Sequence, residues 1–145
     1  MSRAVSIKQI AIAYPVTAVV FLALDAAWLT TMADRLYRPA LGRLMLDRFE
    51  AAPAVAFYAI YLAGVIVFAV MPGLESRRWS VALGLGALLG LVAYATYDLT
   101  NQATLRDWPW RVTLADLCWG TFVTAVAAAA GCRLTAWLTG AASAS

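Results

Sequence analysis

Four long stretches with almost no charge run through the chain, and they leave few folds open to it. Ile10 to Met32 is broken by Asp25 alone, and Val112 to Cys132 by Asp116 alone. Ala51 to Met71 and Trp79 to Tyr97 carry no charge. At 1.5 Å per residue, about 20 such residues cross a hydrocarbon core roughly 30 Å thick. Lipid offers the backbone no hydrogen-bond partners, and helices satisfy their own. Barrel strands are short and alternate in polarity, and these runs do neither. The chain is 63% hydrophobic and 13% charged, against roughly 45–50% and about 25% in soluble domains. Four buried soluble helices of this kind would leave too little polar surface to cover them.

The expected fold is therefore all-α: a polytopic protein of four transmembrane helices forming one membrane domain. The spans fall at about 9–33, 52–72, 79–101 and 111–137. The charged start "MSRAVSIK" resembles a signal peptide's, but the run behind it is too long and carries Asp25, so retention is expected. Cys118 and Cys132 lie on one span, about 21 Å apart as helix, beyond disulfide reach. The chain has no histidine, which removes the commonest metal and haem ligand. No metal and no cofactor are expected. The net charge of +3 comes from arginines at the span edges, so no nucleic-acid partner is expected.

With the N-terminus inside, five basic residues face inward (Arg3, Lys8, Arg77, Arg78, Arg133) and six outward (Arg35, Arg38, Arg43, Arg48, Arg106, Arg111). The positive-inside rule does not decide on that tally. The basic N-terminal segment and "ESRRW", with little acid nearby, favour both termini in the cytoplasm. The first connection spaces Leu36, Leu41, Leu44, Met45 and Phe49 at near-helical intervals between arginines. It reads as an interfacial amphipathic segment interrupted at Pro39 and Gly42. Tyr37, Arg38 and Arg43 make it a candidate lid; the alternative is a surface helix that only tidies the connection. "RDWPWR" reads as an aromatic and arginine anchor at headgroup level. The tail "GAASAS" is small and polar, and fraying is expected there.

Asp25, Asp98 and Asp116 fall inside spans. Asp25 is near the end of the first, Asp98 near the end of the third and Asp116 near the start of the fourth. Alternating span directions bring all three towards one membrane face. Tyr58 and Tyr61, near the start of the second span, join them there, as do Tyr97, Thr100, Asn101 and Thr113. Ala82, Gly86, Gly90, Tyr94 and Asp98 recur at steps of four and share a helix stripe. The glycines allow close helix approach, and the same stripe turns Tyr94 and Asp98 inward. Asp116, Gly120 and Thr124 repeat the pattern on the last span.

A carboxylate at mid-helix costs about 2.5–3.5 kcal/mol on insertion scales. The three acids could lock the bundle by accepting hydrogen bonds from Tyr, Trp, Thr and Asn, or by pairing with Arg106 or Arg111. They could instead form a binding or catalytic pocket from Asp25, Tyr58, Tyr61, Tyr94, Tyr97, Asp98, Asn101 and Asp116. Trp28 and Trp119 would then be aromatic walls, with interfacial anchoring as the alternative.

The segments "LDAAWL", "YRPALG", "FYAIYLAGVIVFAVMPGL", "GLVAYATYDLTNQATLRDWP" and "ADLCWG" resemble, in order, the hallmark segments of a bacterial membrane family, domain of unknown function 2177. The resemblance spans about residues 10 to 130, and "YDLTN…W" is its most specific part. It implies a small four-span protein of the bacterial inner (cytoplasmic) membrane, and it brings no established activity.

Three functions stay open. The pocket could bind or modify a small amphiphile or membrane lipid. The chain could be a proton-coupled transporter, which needs polar groups through the full thickness. It could be a structural or accessory subunit that meets a second copy or a partner membrane protein through Gly86 and Gly90. No HExxH, GxSxG, P-loop or CxxC announces a chemistry.

Overall fold

The computed structural model describes residues 4–141. Arg3 and the end of the "GAASAS" tail lie outside the described residues. Four helices are long and apolar enough to cross a membrane: α1 (Ile7–Leu41), α2 (Ala51–Ser76), α3 (Trp79–Thr104) and α4 (Trp110–Leu138). There are no strands among the described residues. The helix ends carry local signals in three places. Ser6 caps α1, with its hydroxyl accepting from the Gln9 amide and the Gln9 side chain accepting from Ser6 N–H. Pro109 precedes α4 with extended backbone. Arg77 ends α2 in the left-handed region (φ 55°), where the chain reverses at once into α3.

The first connection differs from the sequence expectation. Pro39 does not interrupt it: α1 runs on to Leu41, and the chain becomes irregular from Gly42 to Glu50. A wide π turn at Ala33–Tyr37 precedes Pro39, and another at Ile66–Val70 precedes Pro72. Proline lacks a donor and crowds the carbonyl four residues back. The wider turn relieves both constraints, so α1 continues past Pro39 and α2 past Pro72. The extension of α1 is pinned by Leu36, buried against Trp108 and Val112. Trp108 is thus not an outward anchor. It is buried, donates to the Thr113 hydroxyl at 3.1 Å, and its carbonyl accepts from Gln102 at 2.9 Å. Trp110 is the exposed tryptophan of that connection.

α4 is the central helix: 56% of its apolar window is buried, against 17–28% in the other three. α3 packs along it most closely, α1 crosses it on another side, and α2 packs on α3. Small residues explain the α3–α4 contact. Ala82, Gly86 and Gly90 are all buried. A Cβ on Gly86 would stand 2.8 Å from Ala128 Cβ and 2.8 Å from the Thr124 carbonyl. Close approach of this kind replaces the hydrophobic driving force that helices lack in lipid. The outward faces carry Val19, Val55, Ile60, Phe68 and Leu88, all exposed, an apolar girdle suited to lipid contact.

Four antiparallel spans put both termini on one side. Topology reporters fused at Lys8, Ser76 and Gly140 should agree, and should oppose those at Gly42 and Asp107. Opposite signals from the two ends would overturn the four-span arrangement.

Candidate functional site

The three intramembrane acids meet in a cavity of about 380 Å³ at one end of the bundle. Asp98 lies six residues from the end of α3, and Asp116 six from the start of α4. At 1.5 Å per residue, each is about 9 Å in from its helix terminus. Asp25 comes from α1 and Tyr58 from α2, so all four helices contribute. The rest of the lining is Trp28, Leu29, Tyr37, Phe57, Tyr61, Ala93, Tyr94, Tyr97 and Trp119.

Two of the acids are supplied with donors. Asp25 accepts from the Tyr58 hydroxyl at 2.5 Å and from the Trp119 indole N–H at 3.1 Å. Asp116 accepts from the Tyr37 hydroxyl at 2.5 Å, and Tyr37 in turn accepts from the Trp28 indole at 2.8 Å. Trp28 and Trp119 stack with centroids 4.5 Å apart and planes 7° from parallel. Their role is a cavity wall that ties Asp25 to Asp116. Indole N–H groups in an apolar setting need an acceptor, and the two carboxylate–tyrosine units supply both.

Asp98 is different. It is 0% exposed, and neither carboxylate oxygen has a donor. Its carboxyl lies within hydrogen-bonding reach of Asp116; two ionised carboxylates would have no donor between them, so the one bond open to this pair needs a shared proton. Arginine does not help: among the described residues the one ion pair is Asp34–Arg38 at 3.3 Å, on the surface. The pairing considered for Arg106 or Arg111 does not form.

Most of the residues expected from sequence come together. Asp25, Tyr58, Tyr61, Tyr94, Tyr97, Asp98 and Asp116 all line the cavity. Tyr61 sits one layer deeper, bonded to the Thr124 hydroxyl at 2.8 Å. Tyr97 stands at the rim, 61% exposed. The Tyr94 ring occupies the space where a Cβ on Gly120 would fall, so Gly120 makes its slot. Asn101 is half-buried and is not among the lining residues. Steps of four from Tyr94 and Asp98 lead to Gln102, which braces Thr113 and Trp108 instead. Of the expected lid, Tyr37 reaches the cavity, carried there by the helical extension of α1. Arg38 and Arg43 are exposed and border a separate surface hollow with Arg106. Leu29, Phe57 and Ala93 are lining residues that sequence spacing did not point out; only helix-face neighbourhood with Asp25, Tyr61 and Tyr97 could have found them.

Away from this end the interior turns apolar. Ala13, Val65, Ala69, Val70, Ala82, Ala128 and Cys132 form one closed cluster. The remaining buried polar side chains there are Thr17 and Thr135, whose hydroxyls have no partner.

No curated protein and no solved structure matches the chain. A family model described as "Predicted membrane protein (DUF2177)" matches residues 10–133. That match covers most of the sequence and contains the four spans' polar cluster, so the chain belongs to this family of predicted membrane proteins.

Proposed function

We propose that this protein binds the head end of a small amphiphile or membrane lipid in the Asp25–Asp98–Asp116 cavity. We place it in a bacterial inner membrane as a multi-pass protein. The observation that carries the reading is Asp98. A carboxyl buried without a Tyr, Trp or Arg donor is costly, and the fold has other ties: Asp25 and Asp116 bond α1, α2 and α4 together, and Gly86 and Gly90 seat α3 on α4. Beyond Asp116, a ligand head that enters the cavity beside it is the partner this buried carboxyl would gain. The exposed apolar rim at Leu29 and Phe57 gives an aliphatic tail somewhere to go, and the depth matches the boundary between headgroups and acyl chains. Tyr37 closes the end of the cavity on the α1 extension.

The packing supports the other functions less well. The Gly86–Gly90 face is taken up by the chain's own α4, so it is not free for a partner subunit. Behind the cavity the buried polar side chains among the described residues are threonine hydroxyls such as Thr17 and Thr135, with no further carboxyl, a poor relay for a transported proton.

Native mass spectrometry of gently extracted protein tests the reading. Wild type should retain an amphiphile, and Asp98→Asn should fold and lose it. Wild type that carries no adduct under any mild extraction would overturn it.

A further inference from the structure

Each lining group of this cavity that can carry a net charge near neutral pH is acidic, and eight of the thirteen lining residues are aromatic. The hydroxyl and indole donors on Tyr37, Tyr58 and Trp119 are already committed to Asp116 and Asp25. An anionic headgroup would meet three carboxyls, no cation and few free donors. A positive charge meets the reverse. Aromatic rings attract cations through their negative faces, most strongly away from water, and the buried Asp98 carboxyl, with no donor but a proton it could share with Asp116, lies beside them. The cavity at the opposite end of the bundle has the other polarity: it is lined by Lys8 and Arg77 and by no acid.

We propose that the cavity holds the alkylated ammonium end of a cationic amphiphile, between aromatic rings and the Asp98 carboxyl, with its chain leaving past Leu29 and Phe57. The inference rests on the amphiphile-binding reading above and adds the sign of the head's charge. An ammonium group can come from a lipid head or from a small soluble cation, and the presence of a tail separates the two.

The experiment is calorimetric titration of the full chain in neutral maltoside micelles, with protein-free micelles subtracted. The probes are decyltrimethylammonium, decyldimethylamine oxide (same tail, no net charge), decyl sulfate and tetramethylammonium. Decyltrimethylammonium should bind at least about tenfold more tightly than the amine oxide, as a desolvated cation–ring contact plus a carboxylate requires. Decyl sulfate should not compete with it. Asp98→Asn should remove most of the preference for the cation, and if that variant fails to fold the wild-type ranking decides alone. Tetramethylammonium binding as tightly as the tailed cation would assign the site to soluble ammonium ions and keep the ammonium recognition. Equal affinity for the amine oxide, or tighter binding of decyl sulfate, would overturn the charge assignment while leaving amphiphile binding intact. Failure of every tailed probe, with no adduct in native mass spectra, would overturn amphiphile binding itself.

Discussion

Gly90→Ala is expected to destabilise the bundle by ~1–3 kcal/mol, the range for overpacking a close-packed core, while Gly84→Ala on the same helix leaves it unharmed. The two positions carry the same chemistry and lie six residues apart on α3. A Cβ on Gly90 would run into the Gly120 carbonyl and stand 2.8 Å from the Thr124 hydroxyl oxygen, whereas one on Gly84 meets nothing within 4 Å. A backbone carbonyl cannot swing aside as a side chain can, so α3 and α4 must separate. Separation also loosens the slot in which Tyr94 lies over Gly120, so the cavity should suffer with the fold. At Gly84 alanine improves helix propensity by up to about 1 kcal/mol. Thermal unfolding in detergent, wild type against both variants, checks the pair. Equal melting of Gly90→Ala and wild type would mean that the small-residue stripe is not the α3–α4 contact.

That stripe was readable from sequence because its period is local. Ala82, Gly86, Gly90, Tyr94 and Asp98 repeat every four residues on one helix, and all but the half-buried Tyr94 are buried. The gathering of Asp25, Asp98 and Asp116 followed from topology alone, since antiparallel spans fix depth. What spacing could not supply was rotation of one helix against another. The stack of Trp28 on Trp119 pairs residues on α1 and α4, and nothing within either span announces it. Trp108 looked like a headgroup anchor because connections between spans usually carry one. Its burial depends on Leu36 arriving from α1. The sequence reads Tyr37 as part of a lid over one mouth of the bundle, on a segment interrupted at Pro39 and Gly42. The π turn that carries the helix past Pro39 is a tertiary accommodation. Asn101 stands one turn beyond Tyr97, which is already 61% exposed at the rim, so it falls past the cavity mouth and outside the lining.

Replacing Asp98 by leucine should raise stability, and the same replacement at Asp25 should lower it. Asp25 holds two donors, Tyr58 O–H and Trp119 N–H. Leucine there leaves both buried without an acceptor, at ~1–3 kcal/mol for each unsatisfied group. It also frees the stacked indoles from the carboxylate that orients them. Asp98 holds no Tyr, Trp or Arg donor and has Asp116 alone within reach, so leucine removes a buried acid while orphaning no donor, a gain of ~1 kcal/mol. Asp98→Asn should also be tolerated, because the amide N–H₂ can donate to Asp116, which lies within reach. Melting temperatures in one detergent should therefore rank Asp98→Leu and Asp98→Asn at or above wild type, with Asp25→Leu several degrees below. The functional ranking should run the other way for Asp98: both variants should lose the co-purified amphiphile even as they gain stability. A group kept at a cost to the fold and needed for the ligand is what a binding site predicts. If Asp98→Leu instead melts as low as Asp25→Leu, the Asp98 carboxyl is holding the helices together, and the cavity is a polar lock.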